Sequence, residues 1–365
     1  MHGLYVAAAV LLILLGAQPL AAEEGCTRRP LIPSPAMATS GTFSTDGETL
    51  LVADYASETI FPYSMEGRAR SNLPPELRNV LGDLPPLVIA RQSGQLYVEI
   101  SQSRVLTLGS DYSLKAEETV RTANVKGKSE DLTLQGMFLW QPAGSDFLAF
   151  SDVEAANERW SSAFVRFPAR DPASFEVLHS IGLMAPSRVF YQLGLPYITS
   201  LGSDGYLILM ENPVGIYRSR KGTKGLEPLN AFPRGFEQSS ELSTLTAKSE
   251  IVGLMAKVEQ SKMPVGLYGW RDFLYVLTRE PEGQGTRWKI FKIDPRRDEV
   301  VGSTLLPTRA NHLTVIPGPK RWAFIEKGPL EAWDRQRIDH LFFVPSSRLQ
   351  GKMPAILCRP GELQR

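Results

Sequence analysis

Six times along its 365 residues the chain repeats one pattern: a strand-like run, a tight turn, a second apolar run ending near a polar residue, then a third run. The second runs are Leu50–Asp54, Leu96–Ile100, Leu148–Asp152, Leu207–Glu211, Leu274–Thr278 and Trp322–Glu326. Turn signals such as Thr45-Asp46-Gly47 and Ser203-Asp204-Gly205 precede them, where Gly and Asp supply positive φ and local hydrogen bonds. The third runs are Thr59–Tyr63, Arg104–Leu108, Ala163–Phe167, Gly215–Arg218, Trp288–Ile293 and His340–Val344. A module of this size cannot bury its apolar surface alone, so copies must stack on one another.

With the last residue of each second run as marker, positions 54, 100, 152, 211, 278 and 326 lie 46, 52, 59, 67 and 48 residues apart. A four-stranded propeller blade takes about 40–50 residues, and the longer intervals absorb insertions. The spacing predicts an all-β, six-bladed β-propeller of four-stranded antiparallel blades with short helical inserts, one domain over residues 23–365. One insert, Leu73–Leu84, carries Pro74-Pro75 and reads as a short helix capped by Ser71 or Asn72. The other spans about 235–262. There Leu242, Leu245, Leu254, Met255 and Val258 fall at helix-compatible intervals, as a flap over one face or as an exposed connection.

Leu50-Leu51-Val52-Ala53-Asp54, followed by Thr59-Ile60-Phe61-Pro62-Tyr63 and Glu66-Gly67, resembles the NHL-type repeat of six-bladed propellers. Phe291-Lys292-Ile293-Asp294-Pro295 with Val300-Val301-Gly302 is similar to the outer strands of other bacterial propellers, although the asparagine-arginine pair usual after the aspartate is missing. The resemblance implies a toroid that often serves in binding. It also implies a ring closed by bringing the chain ends together, which would set Cys26 near Cys358.

Leu4–Leu15 is apolar throughout, and Leu20-Ala21-Ala22 offers small residues before Glu23-Glu24. That layout predicts a signal peptide over 1–22 and a periplasmic or secreted protein with no transmembrane span after cleavage. The rival reading, a retained anchor, needs about 20 apolar residues, and this run has twelve. In an oxidising compartment Cys26 and Cys358 would tend to pair, closing a loop of about 330 residues, the alternative being two unpaired thiols.

A composition of 43% hydrophobic and 22% charged residues excludes global disorder. Forty basic against 39 acidic residues, with no basic block, exclude a broadly basic nucleic-acid binder. No G-x-S-x-G elbow, H-E-x-x-H helix, phosphate loop or C-x-x-C pair occurs. His179, His312 and His340 lie in or beside strand-like runs and read as packed or surface histidines. Asp54, Asp152, Glu211 and Glu326 share one repeat position, with Glu99 one residue out of step. Oxygen ligands in such a ring would suit calcium, and clustered carboxylates would suit acid–base work. Equally, each could accept backbone N–H bonds in the turn it precedes.

The aromatics Tyr55, Trp140, Trp160, Tyr197, Trp270 and Trp322 could line a groove or wedge blades apart. Arg218-Ser219-Arg220-Lys221 reads as a solvated hairpin tip, and Arg296-Arg297-Asp298-Glu299 as a charge-balanced turn. The favoured function is an exported, non-catalytic binding or scaffold propeller recognising a protein, peptide or glycan on one face. The alternative is a metal-assisted, calcium-type hydrolase resembling lactonases. No cofactor is firmly implied, and calcium belongs only to the alternative.

Overall fold

Second strands that are apolar at nearly every position must be buried on both faces, and stacked blades bury them so. The structure, a computed structural model, describes residues 26–36, 38–70, 78–79, 81, 85–92, 94–100, 104–119, 123–124, 131–143, 146–155, 160–168, 175–181, 197–200, 205–211, 214–220, 226–232, 235–236, 261–283, 285–327, 339–350, 353, 356 and 358–360. The N-terminal strand is β1 (Cys26–Pro30). Blade 1 is β2 (Ala38–Phe43), β3 (Leu50–Asp54) and β4 (Thr59–Tyr63). Blade 2 is β5 (Pro86–Gln92), β6 (Gln95–Ile100), β7 (Arg104–Leu108) and β8 (Leu114–Thr119). Blade 3 adds the short β9 (Ala123–Asn124) to β10 (Asp131–Ala143), β11 (Asp146–Ala155), β12 (Trp160–Pro168) and β13 (Glu176–Ile181).

Blade 4 follows with β14 (Tyr197–Ser200), β15 (Gly205–Glu211), β16 (Val214–Arg220) and β17 (Glu227–Pro228). Blade 5 is β18 (Met263–Trp270), β19 (Phe273–Glu282), β20 (Gly285–Asp294) and β21 (Glu299–Leu305). Blade 6 starts with β22 (His312–Ile316), β23 (Arg321–Lys327) and β24 (His340–Pro345). The first strands line the inside of the ring: β2 abuts β5, β5 abuts β10, then β14 and β18 follow, and β22 returns to β2. All six second runs and all six third runs read from the sequence lie within these strands. Gly205 shows why a turn residue is fixed: at φ +132°, a Cβ there would sit 1.9 Å from the Ser219 carbonyl oxygen.

The core is six seams between neighbouring blades. Along β3, Leu51 and Ala53 face blade 2, while Leu50 and Val52 face blade 6. Along β19, Leu274 and Val276 face blade 4, while Tyr275 and Leu277 face blade 6. Period-two alternation thus feeds two seams from one strand. Each fully buried large side chain stabilises by roughly 1.5–3 kcal/mol. Trp322, Phe324 and Phe342 are fully buried in the seam between blades 5 and 6, where the last two stack at 4.9 Å.

Strand number varies from three to five around the expected four. Blade 1 keeps three, because β1 is donated to the last blade, where it pairs antiparallel with β24. The closing strand of the chain, β25 (Cys358–Pro360), then pairs parallel with β1, Cys26 directly opposite Cys358. Five strands therefore seal blade 6, and the chain ends meet. Within the first insert Arg78, Asn79 and Leu81 are helical, and Leu81 packs between blades 1 and 2. The helix read over Ser240–Glu259 lies outside the described residues.

Candidate functional site

Two polar assemblies stand out against this apolar frame. The first is where β1 closes the ring. Glu326 on β23 lies opposite His340 on β24, and His340 lies opposite Pro30 on β1. From β1, Arg28 Nε donates to Glu326 Oε2; Arg28 is 42% exposed, Glu326 only 2%. Burial and the Arg28 charge hold the His340 imidazole below its usual range, against the opposing pull of Glu326 and Asp339.

Asp54, fully buried at the end of β3, accepts from the backbone N–H of Ala36 (2.8 Å) and of Ala56 (3.2 Å). Nearby, Tyr63 Oη donates to the Pro33 carbonyl at 2.6 Å, and burial with the Asp54 and Asp339 charges pushes its phenol far up. Lys327 Nζ donates to the Ala38 carbonyl at 2.8 Å.

Of the four carboxylates of the repeat, the described Asp54 and Glu326 lie in different seams. By strand alternation Asp54 belongs with Leu50 and Val52 to the seam between blades 6 and 1, whereas Glu326 belongs with Trp322 and Phe324 to the seam between blades 5 and 6. Asp152 lies within β11 opposite Gly136 and Ser162, and Glu211 ends β15 opposite Val214. Both side chains are outside the described residues. In β11 and β15 the alternation runs one residue out of phase: Leu148 and Phe150, like Leu207 and Leu209, face the following blade instead of the preceding one. Equal counting from the run ends thus does not give equal faces around the ring. Glu99 is fully buried on β6. Among the described residues, no three His, Cys, Asp or Glu side chains gather to hold a metal ion.

The second assembly is a cavity of about 670 Å³ between blades 4 and 5. Its floor is aromatic: Phe291 meets Phe236 edge-on at 5.9 Å. Lys289, two residues before Phe291 on the same face of β20, holds Nζ 4.5 Å from the Phe291 ring centre, within cation–π range. Among the described residues Lys289 has no carboxylate within 4.0 Å, whereas Lys262 on the opposite wall is paired with Glu280.

Asp298 braces the wall. Its Oδ2 accepts from Asn230 N (3.0 Å) and Nδ2 (2.8 Å), and its Oδ1 from Ala231 N (2.8 Å). Burial raises its pKa, but those donors outweigh burial and hold the carboxyl below the usual range. The turn of Arg296–Glu299 therefore ties blade 5 to blade 4, a role its sequence did not reveal. Arg218, read as a hairpin tip, is only 15% exposed and donates to the Pro295 carbonyl of the same turn. A smaller groove of about 390 Å³, lined by Arg29, Glu66, Lys320 and Arg321, lies between blades 6 and 1.

Among the aromatics, Trp322 acts as a wedge, 5.1 Å from Tyr275 and 5.5 Å from Tyr268. Burial pushes the Tyr275 hydroxyl up to about 12, and it donates to the Leu349 carbonyl. Trp270 is partly buried in the same cluster, Tyr197 borders the seam of blades 4 and 5, and Tyr55 is exposed. The side chains of Trp140 and Trp160 lie outside the described residues.

The lowered His340 and His179 pKa values carry a stability signature. Groups whose folded pKa is depressed below the unfolded value near 6.5 resist protonation while folded, so stability is complete above pH 6.5 and falls with pH below it. His340→Gln is expected to flatten part of that acid decline while leaving the melting temperature at pH 8 unchanged. A variant that falls as steeply as the parent between pH 6.5 and 5 would contradict this.

No protein-family model matches the chain, and no curated protein matches its sequence. Among solved structures it is similar to a luciferin-regenerating enzyme (13% identity, 92% of this chain and 100% of that one, TM-score 0.43). It is similar also to the calcium-binding protein regucalcin of Agrobacterium tumefaciens (8%, 86% and 92%, 0.45) and to the WD40 repeats of RRP9 (11%, 87% and 98%, 0.45). No helix among the described residues is long and apolar enough to cross a membrane.

Proposed function

We propose that the chain is an exported, non-catalytic binding propeller, freed of residues 1–22, whose ligand is a peptide or glycan segment carrying a carboxylate. The observation that carries this reading is the cavity between blades 4 and 5, with the Lys289 ammonium unmatched by any described carboxylate beside the Phe291 ring. A ligand carboxylate would pair with Lys289 while its apolar body covers the aromatic floor, and the volume suits a few residues or sugar units. The commitment of Asp54 to two backbone amides and of Glu326 to Arg28 supports a structural use of these carboxylates over the hydrolase alternative. Export follows from the layout of Met1–Ala22.

Calorimetric titration of acidic tetrapeptides and uronic-acid oligosaccharides tests the site. Lys289→Glu is expected to weaken any ligand found by at least about tenfold, the loss of one charge-assisted bond. Binding indifferent to that change rules the cavity out. A calcium-dependent rise in melting temperature together with lactone hydrolysis would instead favour the enzyme.

A further inference from the structure

The outer edges of the blades are not equally guarded. A sheet's last strand can pair with another chain, and proteins blunt such edges with charge, proline or brevity. Strand β8 carries Lys115 and Glu117, both exposed, and β13 begins with Glu176 tied to Arg166. Strand β17 has two residues, one of them Pro228, and β25 has three, including Arg359 and Pro360. In blade 1 Pro62 sits on the outer strand, and the Tyr63–Ala69 bridge covers its end.

Strand β21 has none of these guards beyond Glu299 at its first position. It is seven residues long and, among the described residues, pairs within its sheet only with β20. Six large hydrophobic side chains are exposed among the described residues, and three are on this strand: Val300 (43%), Val301 (40%) and Leu305 (50%).

We propose that β21 is a self-association edge, pairing antiparallel with β21 of a second copy of this chain about a two-fold axis at Ser303. The register follows from the residues. Val300 lies opposite Ile293 and Leu305 opposite Lys289, positions of β20 that share a face, and Val301 is the bulged residue next to Val300. Centring on Ser303 sets Gly302 opposite Thr304 of the second copy, and Val301 opposite Leu305 of the second copy, twice over by symmetry. The exposed Val301 and Leu305 side chains then cover one another, with Val300 opposite the buried Leu306 beside them. Residues 300–305 carry no charge, so no like charges oppose, and the small Gly302 and Ser303 at the centre let the two backbones approach. A contact this narrow gives a weak, concentration-dependent dimer.

Sedimentation equilibrium of the full chain over a hundredfold concentration range tests it. The average mass is expected to climb toward twice the monomer value, and Leu305→Lys or Val301→Lys to abolish the climb. Both side chains are exposed, so the melting temperature should not move and a folding defect would be visible separately. Ser303→Cys supplies the geometric check. Directly opposed residues of an antiparallel pair have Cα atoms about 4.5–5.5 Å apart, within disulfide reach, so this variant should cross-link as a dimer while Glu117→Cys on β8 should not. A chain monomeric throughout overturns the proposal. So does a dimer that Leu305→Lys leaves intact or that Ser303→Cys fails to cross-link.

Discussion

Trp322→Ala is expected to lower the stability of the ring by about 3–5 kcal/mol, the range for removing a fully buried aromatic side chain. Trp322 is at 0% exposure and its ring is met by Tyr275, Tyr268 and Trp270 at 5.1, 5.5 and 6.4 Å. Those partners belong to β18 and β19, whose strand positions are set by their own hydrogen bonds, so the seam cannot collapse into the space left. The loss therefore combines transfer and cavity terms. Trp322→Phe separates the two contributions. Among the described residues no acceptor reaches the indole Nε1, so phenylalanine removes a buried donor left unmet along with part of the ring. Its expected cost is below about 1.5 kcal/mol. Equilibrium urea titrations with an unchanged slope would measure both. Equal losses for the two variants would contradict this account, because phenylalanine sheds the unmet donor and keeps much of the ring contact.

What the sequence disclosed depended on burial from two sides. Leu50–Asp54 and Trp322–Glu326 are apolar at almost every position because each feeds two seams, so they stand out without any knowledge of partners. The flanking third strands were legible by their spacing from these. The strands β1 and β25 were not, since Cys26–Pro30 and Cys358–Pro360 have no pattern of their own and acquire pairing only from β24 and from each other. The carboxylate register was harder to read from the sequence. Counting from the last residue of each run ignores bulges and run length, and a shift of one residue in β11 and β15 moves side chains to the other face.

The rim cavity was hidden for a different reason. Lys262, Glu280, Lys289 and Asp298 come from separate strands and turns, and only the register of β19 with β20 and the reach of Asp298 across to Asn230 bring them together. The one local trace was the Trp288-Lys289-Ile290-Phe291 alternation on β20, which is indistinguishable in sequence from any half-exposed strand.

Ring closure yields the other large effect. Cys26 and Cys358 occupy directly opposed positions of a parallel pair, and a bond between them would join the strand donated by the N-terminus to the strand that ends the chain. We expect it to form on export. Closing a loop of about 330 residues restricts the unfolded chain more than a typical disulfide does, so Cys358→Ser is expected to cost up to about 5 kcal/mol. Without the bond, β25 keeps only a three-residue pairing, while β1 still has its three pairs with β24 and the Arg28–Glu326 bond.

The consequence is graded. Loss of the bond should free β25 first and leave the ring closed, whereas Cys358→Ser combined with Arg28→Ala should release β1 from β24 and undo the closure of blade 6. Hydrogen exchange would separate the stages, with amides of β25 exposed in the single variant and those of β1 and β24 only in the double. Mass spectrometry of the exported chain under non-reducing conditions gives the direct check. Two alkylatable thiols in the native, oxidised protein would refute the bond, and equal stability of the parent with and without reductant would refute its contribution.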